Sequence, residues 1–74
     1  MADGFVHTVY KNEQWVNEIE GSHVESAAFA TKAEAVEAGR EEARRGQTEH
    51  VVHNQDGTIG ERNSYGDDSA SRSG

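Results

Sequence analysis

The sequence predicts an α+β fold in which an antiparallel sheet of about five strands carries one helix on one face, in the order β-β-β-α-β-β. Three observations lead to this prediction. Short segments rich in β-branched and aromatic residues alternate with turn sequences. One longer segment has helical spacing with start and stop signals. The chain of 74 residues has room for one small core.

The first half of the sequence contains the first three of the five predicted strands. Residues 5–10 are rich in β-branched and aromatic types. Strand alternation in residues 15–20 sets Trp15, Asn17 and Ile19 against Val16, Glu18 and Glu20. The polar residues 11–14 have the length of a hairpin loop. After a turn at Gly21, residues 23–29 form a weaker third candidate because most of their side chains are small.

The helix is predicted over residues 33–45. Thr31 and Glu34 form a capping box, in which the Thr31 hydroxyl accepts the Glu34 N–H. Gly46 is a suitable residue just past the end of the helix. Small side chains recur on one stripe, so the helix can approach a sheet closely; the stripe consists of Ala35, Val36, Gly39 and Ala43.

The second half of the sequence predicts another hairpin. Its strands are residues 49–53 and 58–62, and residues 54–57 form a turn with the Asp-Gly signature. We expect residues 1–66 to form a single domain. Residues 67–74 form an acidic, Ser-rich tail without a large apolar side chain, which predicts disorder.

The composition excludes several classes of protein. No Cys is present, which removes disulfides, thiolate zinc sites and thiol catalysis. No long apolar run or signal-peptide pattern occurs, so we expect a cytoplasmic protein without a membrane span. The same composition predicts two further properties. Because no Leu is present, the core must be thin, which predicts a homodimer. Because the net charge is −7, the like charges repel each other at low salt, which predicts halophilic, salt-dependent folding.

The histidines raise the question of a metal site. His50 and His53 would share one face of a helix, but on a strand they point to opposite faces. A chelate would need a bulge or a partner such as His7 on a neighbouring strand. We therefore expect half-buried sheet histidines and no metal or cofactor.

Catalysis and nucleic-acid binding are both disfavoured. Glu41 and Glu42 lie on an exposed helix face, and no Ser-His pair has an orienting acid, so no catalytic residue is predicted. The arginines could hold phosphate, but they lie within reach of glutamates, and the net charge repels nucleic acid. These arginines are Arg40, Arg44, Arg45 and Arg62.

Several motifs together resemble a known family. They are a His-x-Val strand at residues 7–9, Trp15-Val16, FATKAEA at residues 29–35, ARRG at residues 43–46, and VVHNQDGTIGERNSYG at residues 51–66. Over residues 5–68 the chain resembles the bacterial and archaeal domain-of-unknown-function family 2188. Gly60, where members often have Arg, and the Pro-free tail depart from the pattern. The resemblance implies no activity.

A possible contact surface follows the last predicted strand. It comprises Arg62, Asn63, Ser64 and Tyr65, with Trp15 or Phe5 as a neighbour that Tyr65 could pack against. The expected role is a non-enzymatic domain that acts through protein contacts, by self-association or with another protein partner. The alternatives are a nucleic-acid-associated accessory protein or nucleic-acid mimic, and a small-ligand or metal binder.

Overall fold

A computed structural model describes residues 4–22 and 26–66 of the chain. The predicted tail and three residues of the predicted third strand lie outside the described residues. Four strands and one helix follow each other in the order β-β-α-β-β. They are β1 (Val6–Lys11), β2 (Gln14–Ile19), α1 (Lys32–Gly46), β3 (Glu49–His53) and β4 (Ile59–Ser64). The α+β class is therefore confirmed.

The sheet is mixed and has four strands in the order β2-β1-β3-β4. β1 and β2 are antiparallel, as are β3 and β4, but the central strands β1 and β3 are parallel. The predicted antiparallel sheet of five strands is wrong in both number and pairing. The cause is α1, which returns the chain along the sheet so that β3 runs in the same direction as β1.

The predicted third strand is reduced to a short edge segment in the described part of the chain. Phe29 forms an isolated antiparallel bridge with Trp15. Their backbone groups exchange two hydrogen bonds, of 3.0 and 2.7 Å, and Ser26 N–H donates to Asn17 O at 2.9 Å. The small side chains of residues 26–28 have low strand propensity. The segment therefore covers the β2 edge without becoming a full strand.

The helix begins where its capping sequence predicts. Thr31 is the N-cap residue, and its hydroxyl accepts the Glu34 N–H at 3.2 Å. At the other end Gly46 is still helical, and Gln47 adopts the left-handed conformation with φ 54°. The sequence predicted that Gly46 lies just beyond the helix, and this prediction is wrong, because Gly46 is the last helical residue. The buried helix residues are Ala35, Gly39 and Ala43, which confirms most of the predicted small-residue stripe.

The two hairpin turns have different geometry. Asn12 and Glu13 both have positive φ, which gives the first hairpin a two-residue turn. The second turn uses Gly57 at φ 96°. A bulge follows, because Val52 pairs with Glu61 and His53 pairs with Ile59, which leaves Gly60 as the extra residue of β4.

The core lies between the sheet and α1, and it is thin. Its apolar members include Val6 at 1% exposure, Trp15 at 8% and Val52 at 2%. The Trp15 ring contacts Tyr10 with ring centroids 5.1 Å apart, and Lys32 Nζ lies 5.6 Å from the Trp15 centroid.

Within the described residues, α1 is too short and too polar to cross a membrane.

Candidate functional site

The helix side of the sheet holds a buried polar network. Asn17 Nδ2 donates to Ala35 O at 3.0 Å, and Asn17 Oδ1 accepts the Thr8 hydroxyl at 2.5 Å. Thr8 has one hydroxyl proton, so Thr8 Oγ1 must accept at 2.7 Å from His50 Nε2. This donor chain fixes His50 with its proton on Nε2. Gly39 of α1 lies directly above the network.

His50 is built as a structural histidine. Its residue exposure is 1%, and burial lowers the pKa of His50 below its usual value. Arg40 and His7 also lower the pKa, while Glu61 acts in the opposite direction. A neutral His50 therefore connects the central strands to the helix, and the helix covers it from solvent. This network explains the fold rather than a reaction.

The opposite side of the sheet, which we call the open face, is not packed against the helix. Strand alternation and register place on it the side chains of His7 and Val9 (β1), Val16 and Glu18 (β2), Glu49, Val51 and His53 (β3), and Ile59 and Arg62 (β4). Val16 and Val51 are buried among their neighbours, but Ile59 is 54% exposed. The open face is therefore an apolar seam bordered by charged groups.

A cleft of about 400 Å³ opens at the β2 side of this face. It is lined by His7, Val9, Glu18, Ile19, Glu20, Gly21, Ser22 and His53. Two carboxylates and two imidazoles thus meet beside apolar side chains. These carboxylates and imidazoles can bind a cation, accept protons or contact a partner. The cleft that holds them is open to solvent, whereas the His50 network is buried.

The histidines confirm the strand geometry that the sequence predicts. His50 faces the helix and His53 faces the open side, so this pair does not form a chelate. The parallel pairing of β1 with β3 instead places His7 beside His53, with His7 Nδ1 2.9 Å from His53 Nε2. His7 and Glu20 were not among the predicted site residues. The strand directly before α1 is β2 and not β1, so the order of elements gave no signal that His7 lies beside His53.

The predicted contact residues do not form one patch. β2 and β4 are opposite edges of the sheet, so Trp15 and Arg62 are separated by two strands. Tyr65 follows β4 and donates its backbone N–H to Thr48 O at 3.1 Å. It therefore lies at the start of β3, whereas Trp15 pairs with Tyr10 at the far end of β1. Tyr65 cannot close the core against Trp15.

The remaining predicted residues of this group occupy the β4 edge. Arg62 is on the open face, where its Nε donates to Glu49 Oε2 at 2.7 Å. Asn63 lies on the other side of the sheet, and its Nδ2 donates to Glu61 Oε2 at 3.1 Å. Ser64 is exposed at the end of β4. Tyr65 is half-buried beyond it.

Three of the four arginines considered above are paired with carboxylates of the same chain. Arg44 contacts Glu41 at 3.2 Å and Arg45 contacts Glu42 at 2.7 Å, both with i,i+3 spacing. The Glu41–Arg44 pair was predicted, whereas Arg45 contacts Glu42 instead of Glu41. These two arginines and Arg62 have carboxylate partners, so the geometry gives no support to a phosphate-binding cluster.

The comparisons with known proteins identify a family and no activity. A family model described as an uncharacterized protein conserved in bacteria (DUF2188) matches residues 6–65. No curated protein and no solved structure matches the chain. The match spans both hairpins and the helix, and so includes the open face and the buried network. The chain therefore belongs to the DUF2188 family of uncharacterised bacterial proteins.

Proposed function

We propose that this protein is a small non-enzymatic domain that acts through protein contacts, and that it associates with a second copy of itself through the open face. The supporting observation is a sheet covered by the helix on one side only. The central strands β1 and β3 are parallel, and parallel strands are usually covered on both faces. Among the described residues, Ile59 is the large hydrophobic side chain that is exposed to solvent, and it lies on the open face.

The charges on the open face favour contact with a similar surface. Lys11 pairs with Glu18 at 3.1 Å, and Arg62 pairs with Glu49 at 2.7 Å. Both pairs border the valine seam. Since these charges already have partners within the chain, a second copy meets a surface on which opposite charges alternate. This arrangement reduces the repulsion expected between two copies of a protein with net charge −7.

The edges of the sheet are less suited to association than its face. The segment of residues 26–29 occupies the β2 edge. The β4 edge carries the charged Glu61 and Arg62 and is distorted by the bulge at Gly60. Charged side chains and bulges are features that discourage strand addition at an edge. Stacking of the open faces is therefore preferred over a continuous sheet.

The size of the open face sets the expected strength. Four strands about 4.8 Å apart and about six residues long cover roughly 20 by 20 Å in projection. The accessible area of the face exceeds this projection because the side chains make the surface uneven, but it is at most comparable with the roughly 800 Å² that each partner contributes to a standard stable interface. The association should therefore be weak, with a dissociation constant in the micromolar range or above, and reversible on dilution.

Sedimentation equilibrium over a wide concentration range tests this proposal. We expect the apparent mass to rise from 8.1 kDa towards twice that value, and Ile59→Glu to remove the rise because it places a charge on the open face. Ala33→Glu is the matched control: it adds the same charge on the exposed side of α1 and should leave association unchanged. A mass of 8.1 kDa at every concentration would refute the proposal.

A further inference from the structure

The His7–His53 pair on the open face has a distinctive set of contacts. His7 Nδ1 and His53 Nε2 are 2.9 Å apart. The ring centroids are 5.1 Å apart with an interplanar angle of 31°. The centroid distance exceeds the nitrogen distance by about two ring radii. The two inner nitrogens therefore point at each other across the gap between the rings.

The outer nitrogens of the two rings both face acceptors. His7 Nε2 is 3.4 Å from Glu20 Oε1, and His53 Nδ1 is 3.4 Å from the backbone oxygen of Gly57. An ionised carboxylate and a carbonyl accept hydrogen bonds and cannot donate them. A neutral imidazole has one N–H. When both rings donate outward, their inner lone pairs face each other, and a cation placed at that point relieves the repulsion.

A divalent transition metal matches this arrangement chemically. Neutral imidazole is the commonest metal ligand in proteins. Metal-bound histidines usually donate their other N–H to a carboxylate or a backbone carbonyl, as His7 and His53 are placed to do. Two nitrogens at about 2.0–2.1 Å from a tetrahedral Zn²⁺ lie about 3.3 Å apart. From the observed 2.9 Å the nitrogens must separate slightly, and each ring must turn by about 35° so that both lone pairs converge on the ion.

We propose that His7 and His53 form a two-histidine site for a divalent transition metal, with Zn²⁺ as the test ion. No cluster of three or more ligand side chains with metal-binding geometry occurs in the described parts of the chain. One chain therefore supplies two ligands, and water from the open cleft completes the coordination. Glu18 and Glu20 line the same cleft and add negative charge beside the ion. One chain supplies both ligands, so the site forms without a second copy. Because His7 and His53 lie on the open face, the titration below uses concentrations at which the protein is a monomer.

Zn²⁺ titration of the tag-free protein at neutral pH, followed by calorimetry and by histidine side-chain NMR, tests the site. We expect saturable binding of one ion per chain, with shifts at His7 and His53 and none at the buried His50. His7→Gln and His53→Gln should each weaken binding at least tenfold. Glu20→Gln should weaken it about tenfold, because it changes the partner that orients His7.

Glu61→Gln is the matched carboxylate control and should leave the affinity unchanged, because Glu61 lies on the other side of the sheet. Circular dichroism establishes that each variant is folded; Glu20 is 60% exposed, so its substitution should not disturb the core. A pair that shares a proton and binds no metal would show no saturable Zn²⁺ binding. That result, or binding that persists in both histidine variants, would overturn the proposal.

Discussion

Gly39→Ala should destabilise the protein, although alanine is the better helix former. A Cβ at Gly39 would lie 2.6 Å from Asn17 Oδ1, 2.7 Å from His50 Nε2 and 2.9 Å from Thr8 Oγ1. Contacts this short require the helix or the network to move. Overpacking of a core costs about 1–3 kcal/mol, and a disturbed buried hydrogen bond costs about 1–3 kcal/mol.

The gain in helix propensity offsets only part of this cost. Alanine in place of glycine inside a helix contributes about 1 kcal/mol, so the net loss should be about 1–5 kcal/mol. A chain of this length has a total stability of about 4–11 kcal/mol. Gly39→Ala should therefore lower both the melting temperature and the urea midpoint measured by circular dichroism.

Ala38→Gly provides the comparison at the neighbouring helix position. It should cost about 1 kcal/mol through helix propensity alone. The two substitutions are chemically opposite, yet both should destabilise the protein. If Gly39→Ala instead raised stability by about 1 kcal/mol, the close approach of α1 to the polar network would be refuted.

Three further predictions concern the core, the charge and His50. Trp15→Ala should cost about 3–5 kcal/mol because Trp15 is 8% exposed; a normal melting curve would contradict this. The melting temperature should rise from about 0.05 to 2 M KCl, because salt screens the net charge; a flat or falling trend would remove the halophilic interpretation. By NMR, His50 should keep its proton on Nε2 and titrate below its usual pKa. Its contribution to stability is then complete above about pH 6.5 and declines as the pH falls towards the folded-state pKa; titration at or above 6.5 would contradict this account.

Local features of the fold could be predicted from the sequence. The helix start depends on Thr31 and Glu34, which are three residues apart, and the stripe of small residues follows helical spacing. Both hairpins follow from short turns between alternating segments. The left-handed Gln47 was missed because Gly46 satisfies the usual rule for a helix end. A non-glycine residue in that conformation gives no sequence signal.

The sheet order and the open-face site could not be predicted in the same way. The parallel pairing of β1 and β3 joins residues far apart in sequence, and it depends on how α1 returns the chain. The proximity of His7 and His53 follows from that pairing alone. Once β3 lies beside β1, the faces of His50 and His53 follow from strand alternation, as predicted.

NMR spectra recorded over a dilution series test the central proposal of association through the open face most directly. With increasing concentration, backbone signals should shift at Val9, Val51 and Ile59, which lie on three strands of that face. The exposed helix positions Ala33 and Glu37 should remain unchanged. Shifts confined to the helix or to the β4 edge, or no shifts up to millimolar concentration, would contradict the account.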